Sequence, residues 1–511
     1  MRPRLFILLF ALLTLPCAVH AQVAPSAGAV RVLPAPLTLA EAVAIALRQQ
    51  PSEFIARTQI TSANGQKAQA RAQYFPMLTP TFQYQDTRDT FYGVTVGGGT
   101  TSTVTTGPSG GGTGTGTGTG AGGSGGTGTE TGGAGTTGTG TGTGGQTTQT
   151  FTGGSQSLGG VSVTRGSGST LVLKQTLFDS GTRESVNAQA RRSLDAARFG
   201  RTDTRQQIIL NVTRSFYDLL RASDLVKVSQ AQVTRAGQTV AQTQGQIDAG
   251  VAARADILQS QADLANAQVS LLQNESAVRS TEAALKNAMA IETSGPLQLA
   301  TLAAGDALPP LPNAGPEQTL NDYVRQAYAA RPDLRQQLSV IEVSRQSVKQ
   351  AKIATGLALA GNYVLSYQPT NDIGAKGANS QVLVTASYPL FDAGGARGAL
   401  RVAEAGRDAD LDRLEQLRQS VRLDVEQSYY DRTLALERTR LAQVAIQAAQ
   451  ASFDAATARR QAGVGTVLDI TTAQVSLTQA QNQYVTAVYD FYTADARLRR
   501  AIGQNDSGIT P

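Results

Sequence analysis

Residues 177–181 read Leu-Phe-Asp-Ser-Gly, and residues 390–394 read Leu-Phe-Asp-Ala-Gly. The pair belongs to a longer duplication. At the same spacing of 213 residues, Ser215-Phe216-Tyr217-Asp218 returns as Ser428-Tyr429-Tyr430-Asp431. Ala249-Gly250-Val251 returns as Ala462-Gly463-Val464, and Asp256-Ile257 as Asp469-Ile470. Upstream the spacing is 281. There Thr38-Leu39-Ala40-Glu41-Ala42-Val43 matches Thr319-Leu320-Asn321-Asp322-Tyr323-Val324, and Pro51 matches Pro332. The chain therefore reads as two tandem repeats, 38–290 and 319–503. The spacings differ by 68 residues, so the first repeat carries an insert of that size between Pro51 and Phe178. Residues 97–168 are almost entirely Gly, Thr and Ser. Such a tract has no apolar area to offset chain entropy, which predicts a flexible, solvent-facing loop insert.

Each repeat predicts the same elements. Ala- and Gln-rich segments with helical spacing predict helices over 39–73 and 319–352. The period then changes to two. Leu357, Leu359, Tyr363, Leu365 and Tyr367 alternate with small or polar residues, and Leu78, Phe82 and Tyr84 hold the same parity. Strands are predicted over about 76–96 and 169–178, and over 357–367 and 380–390. Phe82, Tyr84, Tyr363, Leu365, Tyr367 and Tyr388 form an apolar, aromatic face. Next come stretches free of proline, predicting helices over 182–248 and 395–461. At 1.5 Å per residue each spans roughly 100 Å. Shorter helices follow over 253–290 and 466–502. Val212, Leu219, Val226, Val233, Val240 and Ile247 recur every seven residues, as do Ile470, Leu477, Tyr484, Phe491 and Leu498. That period means helices supercoiling around neighbours. A Pro-rich connector at 291–318 joins the repeats, and a tail follows at 504–511.

Composition narrows the function. Of 511 residues, 16% are charged, and the formal net charge is +6. The one Cys, Cys17, and the one His, His20, fall within the first 21 residues. Arg2 and Arg4 precede an apolar run from Leu5 to Leu15. Pro16 breaks it, and small residues lead to a cleavage point after Ala21. This is the pattern of a signal peptide, 1–21, followed by an extended segment at 22–37. Lipoprotein processing at Cys17 fits poorly, because Leu15-Pro16 precedes it. The exported chain then lacks the residues for Ser-His-Asp or Cys-His catalysis and for His- or Cys-ligated metals. No catalytic residue, cofactor or metal is predicted. After Ala21 no apolar run reaches the length of a membrane-spanning helix, so any crossing is by β-barrel. The aromatic strand face then meets lipid. Four strands per chain cannot close a barrel, so copies must share one.

The doubled set of motifs resembles the outer-membrane efflux protein family, the TolC-like outer membrane factors. The motifs are Thr-Leu-x-[Glu/Asp]-x-Val at each repeat start, Leu-Phe-Asp-x-Gly after the second strand and Gly-Val-x-x-x-x-Asp at the helical turn. The resemblance implies an α+β membrane protein. Its shared transmembrane β-barrel has four strands per chain and continues into a long periplasmic α-helical coiled-coil barrel. It implies a homotrimer in the cell outer membrane, extending into the periplasm. It implies a passive exit duct of a tripartite efflux or type I secretion system, partnered by a periplasmic adaptor and an inner-membrane transporter, with no nucleic acid. The helical turns at the periplasmic end would form the gate and adaptor-docking tips: Gly250, Asp256, Arg460, Gly463, Gly465, Thr466, Asp469 and Thr472. Asp256 and Asp469 match the family's acidic positions. A second acid is Thr472 here, the latch arginine is Gly465, and the latch tyrosine is Arg460. An exported coiled-coil structural or adhesive protein, with the Gly-Thr tract as spacer, is the alternative reading.

Overall fold

The computed structural model describes residues 36–90, 161–250, 253–292, 295–301, 308–312, 318–369, 376–462 and 464–504. The predicted signal peptide, most of the segment at 22–37, most of the insert, parts of the connector, Gly463 and the tail beyond 504 lie outside them. Two units make up the chain. Leu78–Leu173 with Tyr363–Val382 forms one, and the remainder forms the other.

The first repeat runs α1 (Leu39–Gln49), α2 (Pro51–Ala72), β1 (Met77–Thr90), β2 (Val161–Phe178), α3 (Thr182–Asp248) and α4 (Arg254–Met289). The second runs α5 (Leu320–Ala330), α6 (Pro332–Ile353), β3 (Ala358–Pro369), β4 (Lys376–Ser387), α7 (Gly395–Gln461) and α8 (Val467–Ala501). The strands form one sheet in the order β1-β2-β3-β4.

Two expectations are corrected at the repeat starts. The predicted helices 39–73 and 319–352 are each two helices. Gln50 and Arg331 take extended backbone, with ψ of 123° and 128°, and Pro51 and Pro332 open the second helices. Proline has no N–H to give and disfavours the helical conformation in the residue before it. The freed ends are spliced by side chains. Gln50 donates to the Ala288 carbonyl at 2.7 Å, and Arg331 donates to the Ala501 carbonyl at 3.2 Å. Each break thereby meets an orphan carbonyl at the C-terminus of its repeat's last helix.

The strand limits also move. β2 begins at Val161, so residues 161–168 are strand and not insert; Val161 and Val163 supply the β-branched residues that the surrounding Gly and Ser obscure. β4 runs from Lys376 to Ser387, so Tyr388 lies just beyond it.

The Leu-Phe-Asp-x-Gly motif starts each long helix. Ser180 and Ala393 take φ of 55° and 53°, and Gly181 and Gly394 take 94° and 90°. The aspartate then caps the helix. Asp392 accepts from the N–H groups of Gly394 at 3.0 Å and Ala396 at 2.7 Å. Asp179 does the same with Gly181 and Arg183. A carboxylate at a helix N-terminus satisfies orphan donors and opposes the dipole.

α1, α2 and α4 pack on α3, and α5, α6 and α8 pack on α7. The repeats join because α6 and α8 also pack on α3. Val212, Phe216 and Leu220 of α3 are buried with Val43 of α1, Leu285 of α4 and Tyr489 of α8. The heptad seams differ accordingly. All five seam residues of α8, from Ile470 to Leu498, are buried. On α4 only Leu285 of Ile257, Leu264, Leu271, Val278 and Leu285 is buried. Equivalent core positions differ too. Leu334 and Leu414 pack together in the second repeat. Their counterparts are Glu53, 1% exposed, and Arg201, which donates to it at 2.6 Å.

Candidate functional site

The turn between α7 and α8 is tightly built. The N–H groups of Val464 and Gly465 both donate to the Arg459 carbonyl, at 3.0 and 3.1 Å. A Cβ on Gly465 would lie 2.9 Å from the Arg460 nitrogen, so backbone approaches backbone where only glycine fits. Thr466 caps α8. Its N–H donates to Asp469 Oδ2 at 2.9 Å, and the Asp469 N–H donates to Thr466 Oγ1 at 3.1 Å. This reciprocal capping box meets two orphan donors at once. The bond from the Thr466 N–H, then that from its hydroxyl, holds the Asp469 carboxyl below its ordinary range. Arg460 joins the turn to the other repeat. It donates to the Gly465 carbonyl at 3.4 Å and to Gln246 Oε1 on α3. Thr472 is exposed on the first turns of α8 and takes no part in the box.

The two ends of the turn between α3 and α4 differ from their counterparts. Gly250 takes φ of 75° and donates to the Ile247 carbonyl at 2.9 Å. Ala253 stands at the cap of α4 without a side-chain bond, where the second repeat has Thr466. Asp256 donates its N–H to the Ala253 carbonyl at 3.1 Å, and among the described residues its side chain makes no cap bond. The sequence reading singled out Asp256 and Asp469 as equals; the structure gives them different work. Thr466-x-x-Asp469 against Ala253-x-x-Asp256 was the signal that separates them.

On the strands, Phe82, Tyr84, Tyr363 and Tyr367 are exposed, as is Tyr388 beyond β4. Leu365 is half-buried. Among the described residues no group of three His, Cys, Asp or Glu side chains could hold a metal ion, and no helix is long and apolar enough to cross a membrane.

Comparison with known proteins decides the family. The model of the outer membrane efflux protein family matches residues 138–290 and 323–504, one match in each repeat. The chain belongs to the outer membrane efflux protein family. Among its relatives is the alkaline protease secretion protein AprF of Pseudomonas aeruginosa, 28% identical over 66% of this chain and 70% of that one. The outer membrane protein TolC of Escherichia coli is 22% identical over 69% of this chain and 72% of that one. The cobalt-zinc-cadmium resistance protein CzcC of Cupriavidus metallidurans is 26% identical over 62% and 73%. The fold matches a solved structure of CusC with a TM-score of 0.69, at 14% identity over 94% of this chain and 95% of that one. It matches VceC of Vibrio cholerae with a TM-score of 0.65, at 16% identity over 91% and 96%. The efflux protein is thus an outer-membrane exit duct and not an enzyme.

Proposed function

We propose that three copies of the chain share one twelve-stranded β-barrel in the outer membrane, and that their helices form an α-helical barrel in the periplasm. The observation that carries this is the four-stranded sheet, in which β1 and β4 are edge strands. Lipid offers no partner to an open edge, and the smallest transmembrane barrels have about eight strands. Closure therefore needs strands from other copies. The aromatic face of Tyr84, Tyr363 and Tyr367 meets lipid, and the Gly-Thr-rich insert between β1 and β2 lies on the outside of the cell.

The turns at Gly250–Asp256 and Arg460–Asp469 are the periplasmic gate and the docking site for an adaptor protein, which connects the duct to an inner-membrane transporter. Arg460, bonded to Gln246, serves as latch in place of the family's tyrosine and arginine. Relatives are named for protease secretion and for metal resistance, and the duct conducts passively whatever its pump delivers. Outer-membrane fractions run on a detergent gel test the shared barrel. Unheated samples are expected to migrate as an oligomer and heated ones as the single chain. Migration as a single chain without heating would sink the reading.

A further inference from the structure

Among the described side chains of the four strands, Lys174 is the only charged one. It is exposed, near the end of β2 that leads into α3. Its face follows from its neighbours. Leu171, Leu173 and Leu177 alternate along β2 with Thr170, Val172, Lys174 and Thr176. A Cβ on Gly361 would lie 3.6 Å from Leu177 Cδ1, so Leu177 shares the face of β3 that carries Gly361 and, two residues on, Tyr363. Lys174 therefore belongs to the opposite face, with Ala360 and Asn362. With the tyrosine face toward lipid, the Lys174 face lines the inside of the barrel, where a cation stands in water and avoids the cost of lipid. The nearest acid along the chain, Asp179, is spent on the N–H groups of Gly181 and Arg183. At the repeat spacing of 213 the counterpart of Lys174 on β4 is Ser387, so each copy contributes one such lysine.

We propose that Lys174 makes a ring of three cations inside the barrel, and that this ring makes the duct favour anionic solutes over cationic ones at its outer-membrane end. The inference rests on the shared barrel proposed above and adds a residue that sets which charge passes. The width of the barrel decides whether one lysine per copy is enough. Twelve strands about 4.8 Å apart and tilted about 40° put the Cα atoms of the wall roughly 12 Å from the axis. The four-carbon stem of a lysine reaches roughly 6 Å inward, which leaves each ammonium group about 6 Å from the axis. At about 0.1 M salt the screening length is about 10 Å, longer than that distance. Three such charges then enrich a monovalent anion on the axis on the order of fivefold and deplete a monovalent cation as much. The uncharged Ala358, Ala360, Asn362 and Ser366 on the same face of β3 offer nothing to cancel them.

A cysteine at position 362 reads the potential on that face. The one native cysteine, Cys17, lies in the predicted signal peptide. In outer-membrane vesicles at about 0.1 M salt, Asn362→Cys is treated with an anionic and a cationic methanethiosulfonate of similar size, and the ratio of the two modification rates is taken. Lys174→Gln in the same chain is expected to lower the anionic-to-cationic ratio at least fivefold, Lys174→Glu to lower it further, and Lys174→Arg to keep it at the starting value. In about 1 M salt, where the screening length is about 3 Å, the difference is expected to shrink to about twofold. Single-channel reversal potentials in a salt gradient carry the same expectation to conduction, the Gln variant shifting toward cation preference. A rate ratio or a reversal potential that does not follow the charge at position 174 would overturn the proposal. So would a cysteine at 362 that only a lipid-soluble maleimide reaches. The unheated gel separates this from the barrel itself. An oligomer whose ratio does not move sinks the ring alone, whereas absence of an oligomer from the parent chain removes ring and barrel together. Where Lys174→Glu fails to assemble, the Gln and Arg variants carry the comparison.

Discussion

Replacing Arg201 by leucine removes the closer of two cations that neutralise Glu53. The Glu53 side chain is 2% exposed, and its Oε1 accepts from Arg201 at 2.6 and 2.9 Å and from Arg57 at 3.0 Å. Its Oε2 is buried without a hydrogen-bond partner among the described residues. Breaking a buried ion pair from one side costs about 3–5 kcal/mol. Arg57 stays, but its side chain is 49% exposed and serves the same oxygen, so the lower end, about 3 kcal/mol, is expected. The double variant Glu53→Leu/Arg201→Leu rebuilds the Leu334–Leu414 contact of the second repeat, whose members are 4% and 7% exposed. It removes the buried charge and the orphan oxygen together. It is expected within about 1 kcal/mol of the parent, or more stable. The assay is the unfolding rate in detergent and denaturant, followed by the helical circular dichroism signal, because such assemblies are governed by rates. If the contact is lost before the barrier, the single variant unfolds on the order of a hundredfold faster. A single variant that unfolds at the parental rate, or a double as fast as the single, would refute the reasoning.

Gly465→Ala forces a Cβ onto the Arg460 backbone and is expected to cost about 1–3 kcal/mol, read as a lower unfolding midpoint with assembly retained. Arg460→Ala frees the turn from Gln246 and should raise the open fraction in single-channel recordings. The Asp469 carboxyl is held below its ordinary range, so its charge supports the turn above that range and is lost as pH falls through the folded value. Acidification past the carboxylate range is therefore expected to raise the open fraction, and Asp469→Asn to flatten that dependence. Tyr363→Lys is expected to cost about 2–4 kcal/mol near the bilayer midplane and Asn362→Lys far less, measured by the yield of heat-modifiable oligomer.

The sequence reading placed α3 and α7 to the residue, because a glycine precedes each, a glycine-bearing turn follows each and no proline interrupts them. It ran through Gln50-Pro51 and Arg331-Pro332 because proline is tolerated in a helix's first turn, so the apolar spacing continues across the break. The sign was the residue before proline, which the ring pushes to extended backbone. The Glu53–Arg201 pair was beyond periodicity, since its members are 148 residues apart. Six arginines run from Arg183 to Arg205 on α3, yet they do not form one solvated face, since Arg201 reaches a buried carboxylate and Arg183 lies over the Tyr74 ring at 5.2 Å. Charge counted along a helix does not say which side chains find partners on another.

The duplication also bears on how such a chain evolves. Had each repeat been its own polypeptide, every substitution would appear at every equivalent place in the assembly. Fusion lets one half drift without the other. Thr466 can cap one turn while Ala253 leaves its twin bare, leucines can replace a charge pair in one core only, and a long Gly-Thr tract can enter one hairpin in two. Selection can then change the outer loop or stiffen one set of turns, while the unchanged twin keeps the assembly's geometry.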